Sequence, residues 1–179
     1  MRAVILTAVA GASLLAGSPA RAQMPDGSAS RAAMQKLDFM VGRWKGEAWM
    51  IRGNERVTTT MTEVVERKLG GVAFLVEGLG VVPGAGAESP RVVHNALAVI
   101  VFDPQTQGYL LRSYISSGQW GDFVLTPVEG GVSWSREVPG GRIRNTAKIG
   151  NGVWHEIGEF SRDGTTWMQI MELNLKQEP

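Results

Sequence analysis

Leu37-Asp38-Phe39-Met40-Val41-Gly42-Arg43-Trp44-Lys45-Gly46-Glu47 divides this chain into two regimes. Ahead of Gly42 there is room for one short helix over 31–40, with Ser30 as its N-cap and Met34, Leu37 and Met40 or Val41 on one face. From Gly42 onward the side chains alternate and glycine-bearing turns punctuate the chain. Strands are predicted at 43–52, 56–68, 72–80, 93–103, 108–116, 120–127, 131–137, 141–149, 152–161 and 165–175. Between them Arg52-Gly53-Asn54, Leu69-Gly70-Gly71, Glu129-Gly130-Gly131, Pro139-Gly140-Gly141, Gly150-Asn151-Gly152 and Asp163-Gly164 supply residues that tolerate positive φ. Short strands joined mostly as hairpins predict an all-β fold. It is an up-and-down antiparallel β-barrel of about ten strands preceded by one short helix, because closure removes exposed edges. An open Greek-key sandwich is the alternative, but most links are too short for its crossings.

The residues ahead of this body read differently. Arg2, the apolar or small run Ala3–Ala16 and the small-x-small site Ala20-Arg21-Ala22 form an export signal over residues 1–22. The run is too short to span a bilayer. No cysteine follows it, which excludes lipid attachment through an N-terminal thiol. A soluble exported protein is expected, periplasmic or secreted. Residues 23–30 read as a flexible leader, and 31–179 as a single domain long enough to bury a core without staples. The absence of cysteine also excludes a thiol enzyme and a Cys-based zinc site. Removing Arg2 and Arg21 with the signal takes the formal charge from +1 to −1. No basic stripe remains for nucleic acid, and no membrane insertion is expected. Pro83–Pro90, rich in small residues, is the candidate for a mobile loop at a barrel mouth.

Strand parity then sorts the side chains. In the first strand Trp44, Gly46, Ala48 and Met50 form the better inward set, with the two small residues leaving room beside Trp44. In the fourth, His94, Ala96, Ala98, Ile100 and Phe102 oppose an equally apolar set, so parity leaves its inward face open. The ninth places Trp154, Glu156, Gly158 and Phe160 together. The last places Trp167, Gln169, Met171, Leu173 and Leu175 together. An inward Glu77, Glu156 or Glu172 needs a partner such as Arg112, Arg142, Arg144 or Tyr114, or water. The other reading puts these carboxylates on the rim or outside.

Few motifs carry chemistry. Arg112-Ser113-Tyr114 puts a cation and a phenol on one face, a pair suited to gripping a carboxylate. An outward Arg stacked on a surface Tyr explains the same residues. His94 and His155 are the only histidines, a weak set for metal or haem. There is no Gly-x-Ser-x-Gly elbow and no phosphate-cradling loop. Of six tryptophans, Trp44, Trp134, Trp154 and Trp167 suit either a core or an aromatic-walled pocket.

Several segments in order resemble an uncharacterised bacterial family of exported, calycin-like proteins, a domain of unknown function. They are Leu37–Glu47, Lys68-Leu69-Gly70-Gly71, Ala98–Pro104, Arg112-Ser113-Tyr114, Gly152–Glu159 and Ser161–Trp167. The resemblance covers most of the chain after the signal. It implies a lipocalin-like barrel and no particular activity. Gly42-Arg43-Trp44 is similar to the Gly-x-Trp of lipocalins and of nitrobindin-like haem barrels, whose other signatures are absent.

These readings converge on a small apolar or amphipathic molecule bound inside the barrel. Its candidate polar contacts are Arg112, Tyr114, Glu77 and Glu156. Its candidate aromatic walls are Trp44, Trp154 and Trp167. No cofactor or metal is predicted. The alternatives are a lipocalin-like isomerase or hydrolase with Glu156 or Glu172 as base, a haem barrel, and an interaction module presenting an apolar patch near Trp49.

Overall fold

The computed structural model describes residues 26–84 and 89–179. The signal segment lies outside them, as do residues 85–88 of the Pro83–Pro90 loop. One helix, α1 (Ser28–Gln35), and a 3-10 turn over Asp38–Met40 precede ten antiparallel strands. These are β1 (Gly42–Arg52), β2 (Glu55–Lys68), β3 (Ala73–Val82), β4 (Arg91–Asp103) and β5 (Gly108–Ile115). They continue with β6 (Trp120–Val128), β7 (Gly131–Val138), β8 (Gly141–Gly150), β9 (Val153–Ser161) and β10 (Met168–Glu178). Every strand pairs with its neighbour in sequence, and β1 pairs with β10 to close the barrel. That last seam runs from Arg43 opposite Glu178 to Met50 opposite Met171.

The helix starts two residues ahead of the expected Ser30 cap. Gly27 is the N-cap, and Asp26 just before it accepts the Ser28 N–H through Oδ1 at 2.9 Å. Ser28, Ala29 and Ser30 are therefore helical, and the leader ends earlier than its composition indicated. A helix of 8 residues has little stability alone. It is held by what it buries. Met34, Leu37 and Met40, at 0%, 0% and 2% exposure, plug the end of the barrel where β1 begins. Burial of each such side chain contributes about 2 kcal/mol. The Tyr109 hydroxyl donates to the Ala33 carbonyl at 2.8 Å, and Trp44 Nε1 donates to the Met40 carbonyl at 2.9 Å. Trp44 meets Trp154 edge-on, ring centroids 5.7 Å apart. This is the barrel floor; the β1–β2, β3–β4, β5–β6, β7–β8 and β9–β10 connections lie at the opposite end.

The inward set of β1 is the one parity favours, but Gly46 is small for a different reason. A Cβ there would lie 2.0 Å from the Asn174 carbonyl oxygen, so the close approach of β10 requires glycine. In β4 the structure resolves the choice in favour of His94, Ala96, Ala98 and Ile100, which face the interior. The last strand begins at Met168 rather than near 165. Asp163 Oδ1 accepts the Thr165 and Thr166 N–H groups at 2.8 and 2.7 Å, holding those residues in a turn. A register shift between Gln169 and Met171 then breaks the alternation, which separates Trp167 from the inward residues after it.

Candidate functional site

A cavity of about 250 Å³ occupies the barrel above the floor. A single water needs roughly 10–15 Å³ on this measure, so the space is of ligand size. Met40 and Trp154 bound it below; Met50, His94 and Ile143 bound it towards the loops. Phe123 and Trp134 add aromatic wall, and small Ala96, Ala98 and Gly78 leave the volume free. The polar groups in it are few: Glu63, Glu156, Asn145, His94 and Ser113.

Glu156 stands two residues beyond Trp154 on the same face of β9 and is 5% exposed. Asn145 Nδ2 donates to its Oε1 at 3.0 Å, and Trp154 Nε1 donates to its Oε2 at 3.1 Å. Burial pushes this carboxyl up to about 7, against those two hydrogen bonds, which favour the ionised form. Glu63, on β2, lies opposite Trp44 of β1 and Gly78 of β3. A Cβ at residue 78 would stand 2.7 Å from Glu63 Oε1, so the glycine is the seat of the carboxyl. Protein encloses Glu63, and the surface it retains opens on the cavity. Burial, and then the nearby charge of Glu156, hold its carboxyl well above the usual carboxylate range. No hydrogen bond offsets that effect. His94 is pushed down by burial and by Arg52, so it is neutral near pH 7. Among the described residues no group of three or more His, Asp or Glu is placed to hold a metal ion.

Of the residues singled out from sequence, the barrel brings Glu156 and Trp154 to the cavity. Trp44 sits beneath it, in the floor. The other four lie elsewhere. Arg112 and Tyr114 face outward, because Tyr109, Leu111 and Ser113 are the inward residues of β5. Arg112 makes a two-pronged ion pair with Asp122, at 2.6 and 2.7 Å, and lies 5.5 Å from the Trp120 ring. The carboxylate clamp is thus replaced by the outward Arg–aromatic arrangement. Glu77 is exposed, between inward Val76 and Gly78. Trp167 lies under the Arg144 guanidinium, 4.1 Å away, and Arg144 in turn pairs with Glu159.

Glu172 is likewise on the outside. It accepts from Trp49 Nε1 at 3.0 Å and lies 2.9 Å from His155 Nε2, contacts that hold its carboxyl below the usual range. A solvated, ionised carboxylate there cannot serve the interior as a base. Trp49 is half-buried beneath Arg56, 3.9 Å from its ring, and presents no apolar patch. Exposed apolar side chains are spread over several elements, with Leu110, Trp120 and Val124 together on the outer face of β5 and β6.

Sequence reading missed Glu63. In Thr58-Thr59-Thr60-Met61-Thr62-Glu63-Val64-Val65 both faces mix polar and apolar residues, so parity is silent. The usable signal was Gly78-x-Gly80 on the next strand, small residues that make room for inward side chains.

No protein-family model and no curated protein sequence matches the chain. Among solved structures it is similar to the crystal structure of Rv2717c from M. tuberculosis. The TM-score is 0.61 at 11% identity, over 82% of this chain and 98% of that one. At that identity the likeness is one of fold, a closed antiparallel barrel.

Proposed function

We propose that this chain is an exported, calycin-like binding protein whose barrel takes a small apolar or amphipathic molecule. The observation that carries the reading is the cavity of about 250 Å³, walled by apolar and aromatic residues with its few polar groups convergent. Export rests on the sequence signal at residues 1–22. Native mass spectrometry of protein purified from its own host tests the reading, together with titration by a neutral apolar dye such as N-phenyl-1-naphthylamine. A retained small molecule, or saturable dye binding abolished by the cavity-filling Ala98→Phe change in a folded barrel, is expected. Absence of both overturns it. A haem guest would use His94, the one histidine among the cavity's lining residues, and would show as a Soret band in the same preparation.

A second reading is favoured by one observation. Glu156 combines a carboxyl titrating at about 7 with a donor, Asn145, at 3.0 Å. That is the arrangement of a general acid–base catalyst in an isomerase or hydrolase. Its test is turnover of the retained molecule: Glu156→Gln is expected to abolish turnover while binding persists. Equal turnover in the variant overturns this reading.

A further inference from the structure

The cavity's charges do not balance. Its titratable lining groups are Glu63 from β2, Glu156 from β9 and His94 from β4. Two cations stand nearer the open end: Arg136 of β7, 5.2 Å from the Phe123 ring with its Nε unpartnered among the described residues, and Arg52, whose charge acts on His94; neither acts on the two carboxyls. His94 is neutral near pH 7. His155 acts on Glu156 through charge from beyond the wall, but faces outward and is bound to Glu172. Two carboxyls thus share one apolar space, close enough for the charge of one to raise the other. Glu63 is enclosed, seated over Gly78, and has no hydrogen-bond partner among the described residues. A guest with an anionic head is repelled by such a pair. A neutral acceptor satisfies one carboxyl O–H and leaves the second group as it was. A cation seated between the two satisfies both. Trp134 and Trp154 line the same space, and aromatic rings attract cations, as the Arg136 guanidinium over the Phe123 ring illustrates.

We propose that the polar group of the guest is a protonated amine, held between Glu63 and Glu156, with its apolar body directed past Phe123 towards the open end. The inference rests on the reading of the barrel as a container. As the ammonium arrives, the proton held by the carboxyl pair passes to solvent. The guest keeps its own proton, and the charge entering matches the charge leaving.

Calorimetry with hexylammonium, hexanol and hexanoate tests it, on the wild type and on Glu63→Gln/Glu156→Gln, both checked for fold by circular dichroism. Near neutral pH, hexylammonium is expected to bind about tenfold more tightly than hexanol, the scale of one charge-assisted hydrogen bond, with hexanoate weakest. The heat of amine binding is expected to depend on the buffer's ionisation enthalpy, reporting proton release. The variant is expected to keep hexanol binding and lose the preference for the amine. Hexanol or hexanoate equalling the amine on the wild type overturns the amine inference and leaves the container standing. So does a preference unchanged in the variant. If none of the three binds while the dye still does, the amine inference falls and the container stands; the container falls only if the dye and a retained molecule are absent as well.

Discussion

Raising the pH from about 5 to about 8.5 is expected to destabilise this barrel, and Glu156 sets the scale. Its carboxyl ordinarily titrates at 4.5 and in the folded protein at about 7. The folded state therefore binds more protons across that window, so stability falls with rising pH. The loss begins above 4.5 and is complete above about 7. At about 1.4 kcal/mol for each tenfold change in proton affinity, it amounts to about 3 kcal/mol. For a domain of this size that lowers the melting temperature by roughly 6–12 °C. Glu63, raised for the same reason, adds in the same direction. His94 opposes it: its folded pKa is depressed, so its contribution rises with pH up to its ordinary value of 6.5. Subtracting the urea-unfolding curve of Glu63→Gln/Glu156→Gln removes the His94 contribution. The wild type is expected to lose about 3 kcal/mol or more relative to the variant between the two pH values. Glu156→Gln alone carries a second signature. Its amide accepts through one atom only, so either Asn145 or Trp154 loses its acceptor, which costs about 1–3 kcal/mol at low pH. That variant begins less stable than the wild type and ends equal to it or more stable. Parallel pH profiles for wild type and double variant would refute the assignment of buried, proton-holding carboxyls.

Gly46→Ala is expected to lower stability by about 3 kcal/mol in urea unfolding, because its Cβ would meet the Asn174 carbonyl at 2.0 Å and force the seam apart. Trp44→Ala is expected to cost about 4 kcal/mol by the same measurement, through loss of the floor contact with Trp154 and the bond to Met40. Arg112→Ala is expected to leave the affinity for hexanoate at its wild-type value in calorimetry, since Arg112 points away from the cavity. A weakened affinity there would restore the carboxylate clamp.

The fold was legible because its signals are local. Gly-bearing turns at Gly53, Gly130, Gly140 and Gly152 adopt the positive φ that their hairpins need, and the strands between them follow. The site was legible only where a face had contrast. Trp154 and Glu156 share a strand with Gly158 against a mixed opposite face; parity grouped them, and the structure turns that group inward. Leu110-Leu111 puts one leucine on each face of β5, so parity there had nothing to decide between Arg112 inward and Arg112 outward. Trp167 was misplaced by an irregularity of pairing, the shift at Gln169, which is a property of two strands together. Glu63 needed the same kind of information, since what identifies it is Gly78 across the ladder.

The β1–β10 seam sets an order on assembly. Nine of the pairings join strands adjacent in sequence, while Arg43 reaches Glu178 across 135 residues. Hairpins form quickly, and ring closure alone must overcome the entropy of a loop that long. Until it does, the two terminal strands are unpaired ribbon edges, each able to recruit a stranger's strand. Gly46 lies on that last joint, so an added methyl there obstructs the step at which the chain stops being open to its neighbours.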